Sequence, residues 1–272
     1  MPSPVAPRVA AVLRGVAGLV LVAALTSCGG DGRDGRQQVP RVSVDPEGFY
    51  LATSFERPVC GNYHHPDEGC EFGIQGPVET GEFGCRTGPS CLAIGRGGAT
   101  HQGALRLVPV EAGHAFVGCA FRVPELPSAQ KPFIELMQLS PGDGTQPLNP
   151  IELRMSTADR TLSLGEFQGP QEVSTTWQAP VDEWFAVVVE MSYGEDVATR
   201  LWVYGSDDRE VASLEVLLTT SGGRGKANPR QKVGGVTNTF GDVITYADDW
   251  YIARDRYGPL HVGADGSPVG SG

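Results

Sequence analysis

Phe116-Val117-Gly118-Cys119-Ala120-Phe121-Arg122-Val123 places Val117, Cys119, Phe121 and Val123 at every second position. Side chains two apart share one face of an extended chain, so this stretch reads as a β-strand with an apolar core side. Outward from it, strand-length apolar runs recur between turn clusters: Phe49–Glu56, Cys91–Ile94, Ala104–Val110, Phe133–Leu139, Ile151–Ser156 and Thr161–Phe167, then Trp184–Ser192, Arg200–Tyr204, Glu210–Leu217, Gln231–Val236 and Val243–Arg254. No window sustains a capped apolar stripe of period 3.6, so almost no helix is expected. The 37 glycines and 21 prolines favour short strands and turns. Without a mid-chain linker, roughly a dozen strands form one all-β antiparallel β-sandwich over residues 48–260, followed by a loose tail over 261–272.

The N-terminus reads differently. Arg8 and Arg14 precede a short apolar run that ends in Leu25-Thr26-Ser27-Cys28. A basic region, an apolar region of roughly ten residues and a small-residue cleavage site make a secretory signal, too short for a membrane span. The four residues resemble the bacterial lipobox. That resemblance implies a signal peptide over 1–27, acylation of Cys28, and anchoring of the exported protein to the cell envelope through its acyl chains. Gly29 is not the aspartate that retains such lipoproteins at an inner membrane, which favours the outer membrane or cell surface. Polar, Gly-rich residues 28–47 then serve as a flexible tether.

The formal charge is −11, and the leader carries two positive charges, so the remainder is near −13. An acidic surface of this size argues against nucleic acid and against electrostatic binding to anionic lipid. Export makes disulfides the default for the later cysteines. Cys60, Cys70, Cys85 and Cys91 fall in one Gly-rich stretch that reads as a stapled loop. Sequence does not fix their connectivity; the nested pairing Cys60–Cys91 with Cys70–Cys85 is the expectation, and Cys119 is left as a buried free thiol.

Five further stretches point to a fold family. Ser54-Phe55-Glu56 opens the domain and Gly103-Ala104-Leu105-Arg106-Leu107 follows. Asp182-Glu183-Trp184 leads an apolar strand, with Leu201-Trp202-Val203-Tyr204-Gly205 after it. Tyr246-Ala247-Asp248-Asp249-Trp250-Tyr251-Ile252-Ala253 closes it. Their order resembles the concanavalin A-like jelly rolls: laminin G modules, legume-type lectins and several polysaccharide lyases. Beside the lyases, Glu135-Leu136-Met137-Gln138-Leu139-Ser140 resembles a "Q-x-H" strand with Ser140 at the histidine. Gln231-Lys232-Val233-Gly234-Gly235-Val236 resembles "F-K-x-G-x-Y" with Val236 at the tyrosine, and Glu152-Leu153-Arg154 resembles "E-L-R". A lyase must neutralise the substrate carboxylate, remove a proton and protonate the leaving oxygen. The matching positions supply residues for the first task only.

The resemblance therefore implies binding of a polysaccharide or glycoconjugate without turnover, through Gln138, Arg154 and Lys232. Trp202 and Tyr204, sharing one strand face, offer rings on which a sugar can stack. The alternatives are a lyase or hydrolase with an atypical catalytic set, and a structural or protein-binding envelope component. Glu166, Glu172, Glu183 and Glu190 are scattered and fit solvated positions. Alternation puts Asp248 on the core side with Ile244, Tyr246, Trp250 and Ile252, where a lone carboxylate is costly. Pairing of the first and last strands brings Glu56 near Asp248 and Asp249, a set of oxygen ligands suited to structural Ca²⁺. Otherwise a bulge turns Asp248 outward, or a cation such as Arg57 neutralises it.

Overall fold

The computed structural model describes residues 48–62, 65–66, 68–70, 72–76, 78–95, 103–107, 114–126, 132–140, 151–166, 172–192, 197–218, 230–233, 244–262 and 268–270. The leader, Cys28 and the tether lie outside them. The described strands are β1 (Phe49–Thr53), β2 (Val59–Asn62), β3 (His65–Pro66), β4 (Phe72–Gln75), β5 (Val78–Gly81), β6 (Cys91–Ile94), β7 (Gly103–Leu107), β8 (His114–Arg122), β9 (Phe133–Ser140), β10 (Ile151–Ser156), β11 (Thr161–Glu166), β12 (Glu172–Gln178), β13 (Phe185–Ser192), β14 (Val197–Tyr204), β15 (Glu210–Leu218), β16 (Arg230–Val233), β17 (Thr245–Ala253), β18 (Leu260–Val262) and β19 (Pro268–Gly270). No helix occurs among the described residues.

Two large sheets form. One has eight strands in the order β15-β14-β13-β8-β17-β6-β5, with β1 also paired to β17; the other has nine, β12-β11-β10-β9-β16-β7-β4-β2-β3. The first and last long strands pair as expected, Thr53 lying opposite Trp250. The main core fills the space between the sheets: Val117, Cys119, Phe121, Val187 and Trp250 meet Leu136, Met137, Leu153 and Leu164. This is the alternation of Phe116–Val123 realised in three dimensions.

The eight-stranded sheet is apolar on its other face as well. Phe116, Ala120, Val188, Tyr204 and Tyr251 form a second buried cluster with Leu260 and Val262 of β18. A strand buried on both faces reads as a continuous apolar run, which explains Phe185-Ala186-Val187-Val188-Val189. Within the stretch expected to be a loose tail, the described residues form a strand pair: β18 pairs with β19, and Val262 is fully buried.

The disulfides correct the nested pairing. Cys60 joins Cys70 and Cys85 joins Cys91, at Cα separations of 5.5 and 5.4 Å. Cys60 lies in β2 of the nine-stranded sheet and Cys91 opens β6 of the eight-stranded one, so each bridge closes a short loop beside its own sheet. Four short strands, β2 to β5, occupy the region read as loop. The edge strand β12 likewise forms without a continuous apolar run. Cys119 is a buried free thiol, as expected. Burial, reinforced by the charges of Asp248 and Asp249, pushes it well above the usual thiol range.

Gly118 pairs with Tyr251, and a Cβ there would lie 2.0 Å from the Tyr251 ring. That ring belongs to the second cluster, and its hydroxyl donates to the carbonyls of Tyr257 and Gly258 at 2.8 and 3.1 Å. Gly118→Ala is expected to lower the unfolding free energy by about 3 kcal/mol through overpacking. Gly258→Ala, with nothing within 4 Å of its added carbon, should stay within about 0.5 kcal/mol. Urea unfolding of both variants makes the comparison.

Candidate functional site

Across β9 to β12 the outer face of the nine-stranded sheet is polar. Register sets two cross-strand rows on it. Gln138, Glu152, Gly165 and Glu172 are successive partners across β9 to β12, and Glu135, Arg154, Ser163 and Ser174 form the adjacent row. Gly165 puts no side chain between Glu152 and Glu172, so Arg154 can reach across the gap. Its Nε and Nη2 donate to Glu152 Oε2 at 2.9 and 2.7 Å, while Nη1 donates to Glu172 Oε2 at 2.9 Å. Gln138 Nε2 donates to Glu152 Oε1 at 3.0 Å, and the Ser163 hydroxyl donates to Glu172 Oε1. The guanidinium also lies over the Phe133 ring, 4.4 Å from its centroid.

This network runs from a buried to a wet end. Glu152 is 1% exposed, whereas the Glu172 side chain is 42% exposed. A buried carboxylate is tolerated when a charged partner and further hydrogen bonds satisfy it. Here the carboxylate receives two bonds from Arg154 and one from Gln138, and in turn fixes the guanidinium in place. Gln138 and Arg154 are thus brought together on Glu152. Lys232 pairs with Gln138 in register, and its side chain lies outside the described residues. Glu166 corrects the solvated reading, being buried; Glu172 keeps an exposed side chain while bonding Arg154. Glu152 was legible as the residue two before Arg154 on the same strand face; Glu172 depends on the pairing of β11 with β12.

Trp202 and Tyr204 do not join this site. They lie on β14 in the other sheet, against the second apolar cluster. Tyr204 is buried, and Trp202 carries the Arg256 guanidinium 4.7 Å from its ring centroid. One face of the Trp202 ring thus carries a cation.

Asp248 and Asp249 sit at a bulge in β17, where Asp249 takes a left-handed φ of 52°. The extra residue returns Trp250 and Ile252 to the core, with Ala247 there instead of Tyr246 and Asp248. Both carboxylates turn to the opposite side and are buried beneath the 82–90 loop and β18. Asp248 Oδ2 accepts the main-chain N–H groups of Arg86 and Thr87 at 2.9 and 3.0 Å. Asp249 Oδ2 accepts Arg86 Nη1 and the Thr87 hydroxyl, both at 2.9 Å, and its Oδ1 accepts Val262 N–H at 2.8 Å. Arg86 also pairs with Asp208, which meets His261 Nε2 at 2.9 Å. The cation facing the pair is therefore Arg86 rather than Arg57. Glu56 instead accepts Ser90 N–H at 3.2 Å. Among the described residues, the trio of potential ligands whose donor atoms lie within 4.8 Å of one another is Cys85, Cys91 and Asp248; the two sulfurs are joined in a disulfide.

No protein-family model matches the chain, and no curated protein matches its sequence. Solved structures do resemble it. A marine PL-14 alginate lyase from Aplysia kurodai aligns with a TM-score of 0.52 at 7% identity, over 64% of this chain and 86% of that one. An endo-β-1,4-glucuronan lyase from Trichoderma reesei gives 0.50 at 13%, over 78% and 98%. A cellulose-induced protein, Cip1, gives 0.51 at 13%, over 69% and 93%. The fold is a jelly-roll-like β-sandwich. At these identities the likeness concerns the fold alone.

Burial, followed by the charge of Asp249, pushes Asp248 from 3.8 up to about 8, against the pull of three main-chain N–H groups. Between those values the folded chain keeps a proton that the unfolded chain has released. Stability from this group is full below about pH 4 and is lost as pH rises through about 8. Relative to Asp248→Asn, the native chain should show urea midpoints that fall across this window. A difference independent of pH would contradict the burial account.

Proposed function

We propose that the protein binds a polysaccharide on the outer face of the nine-stranded sheet, and that Cys28 anchors it to a bacterial envelope through acyl chains. The observation that carries the binding reading is the Gln138–Glu152–Arg154–Glu172 network. A solvated sheet face needs no buried carboxylate, yet Glu152 is buried and holds Arg154 in one orientation. A fixed guanidinium beside an amide suits recognition of sugar hydroxyls or carboxylates at low ordering cost. The fold is shared with two polysaccharide lyases, which supports a carbohydrate partner.

Cleavage is the second reading, favoured by the same two lyases and by the carboxylate-holding geometry of Arg154. It requires a base and an acid on this face, and the described strands bring carboxylates there. Binding of the purified protein to polyuronates and neutral glucans, with and without Ca²⁺, separates the readings when release of unsaturated uronate is followed in the same samples. Binding without product supports a binding module; product establishes a lyase. Arg154→Ala should weaken binding about tenfold or more, the loss of a charged hydrogen-bond set worth ~1.4 kcal/mol or above. Absence of binding and product together would favour a structural or protein-binding role.

A further inference from the structure

The two carboxylates on Arg154 are not equivalent. Glu152 is buried, takes two bonds from the guanidinium and one from Gln138, and belongs to the interior of the network. Glu172 takes a single bond from Nη1, stands at the start of an edge strand, and has a side chain 42% exposed. Ion pairs with one partner this exposed contribute little to stability and open readily to water. The geometry also shows what chemistry fits the outward edge of Arg154, because a carboxylate already lies there at 2.9 Å.

We propose that Glu172 is a built-in counter-ion standing where a ligand carboxylate would sit on Arg154, which makes it a specificity-determining residue of the site. This inference rests on the polysaccharide-binding reading and narrows it to acidic chains. A uronate engages Arg154 by displacing Glu172, which swings toward solvent on its exposed side. Two anions then lie close together, and their repulsion weakens retention of the ligand. Glu172 thereby rejects isolated small carboxylates and admits a polymer, whose neighbouring residues supply the remaining contacts. Ser163, which donates to the other Glu172 oxygen, holds the carboxylate in the occupying position.

The test is isothermal titration of the purified full chain in detergent with polygalacturonate and, in parallel, with dextran as a neutral polymer. Glu172→Gln keeps the size and a hydrogen-bonding end while removing the charge, and is expected to tighten polygalacturonate binding about three- to fivefold. The gain should shrink as salt is raised, because the repulsion it removes is screened. Ser163→Ala should give a smaller gain in the same direction, and Arg154→Ala in the Glu172→Gln background should abolish it. Dextran affinity should not change. Native binding with no gain, or a loss, in Glu172→Gln would overturn the counter-ion role while leaving the binding reading intact. Failure of every variant to bind either polymer would overturn the binding reading and the inference with it.

Discussion

The apolar outer face of the eight-stranded sheet imposes the constraint on which the rest of the structure depends. A sheet that is apolar on both sides must be covered twice. The nine-stranded sheet covers one face; β18 packs on the other, with the 82–90 loop over the Asp248–Asp249 bulge beside it. Neither the loop nor β18 is a long regular element, and both are fastened by charge. Arg86 reaches Asp249, Asp208 and the Leu260 carbonyl, while Asp249 also accepts the Val262 N–H. The Cys85–Cys91 bridge closes the loop that carries Arg86. Removing one partner would strand a buried charge, which is far more costly than the net value of the pair.

That arrangement leaves the sandwich asymmetric. The nine-stranded sheet spends its apolar face on the common core, and its outer face carries polar rows. The side chains there form a graded network, from buried Glu152 to exposed Glu172, with Arg154 between. On the proposed reading, the buried end supplies preorganisation and the exposed end supplies exchange with a ligand. The aromatic pair Trp202 and Tyr204 belongs to the opposite side and contributes to packing.

Much of the fold was legible because period-2 alternation survives in the long strands. Phe116–Val123 and Ile151–Ser156 kept their sides, and Cys119 lies where alternation put it. The carboxylate pair was legible as residues but not in its placement: of the two readings, a core position or a bulge, the structure takes the bulge, through a left-handed aspartate that no glycine marks. Arg86 was hidden by distance, its main-chain N–H lying 162 residues from the carboxylate it serves. The C-terminal stretch after Leu260 is polar and Gly-rich, so two apolar residues, Leu260 and Val262, were too few to reveal a covering strand. In the candidate site, Gln138 and Arg154 came from resemblance, and Glu172 needed the β11–β12 register.

Hydrogen–deuterium exchange of the full chain, with and without polygalacturonate, tests most directly whether the outer face of the nine-stranded sheet is the binding surface. The account predicts ligand-dependent protection in Phe133–Ser140, Ile151–Ser156, Thr161–Glu166 and Glu172–Gln178, with β14 and β15 unchanged. Protection centred on Trp202 and Arg256, with those four strands unaffected, would contradict it.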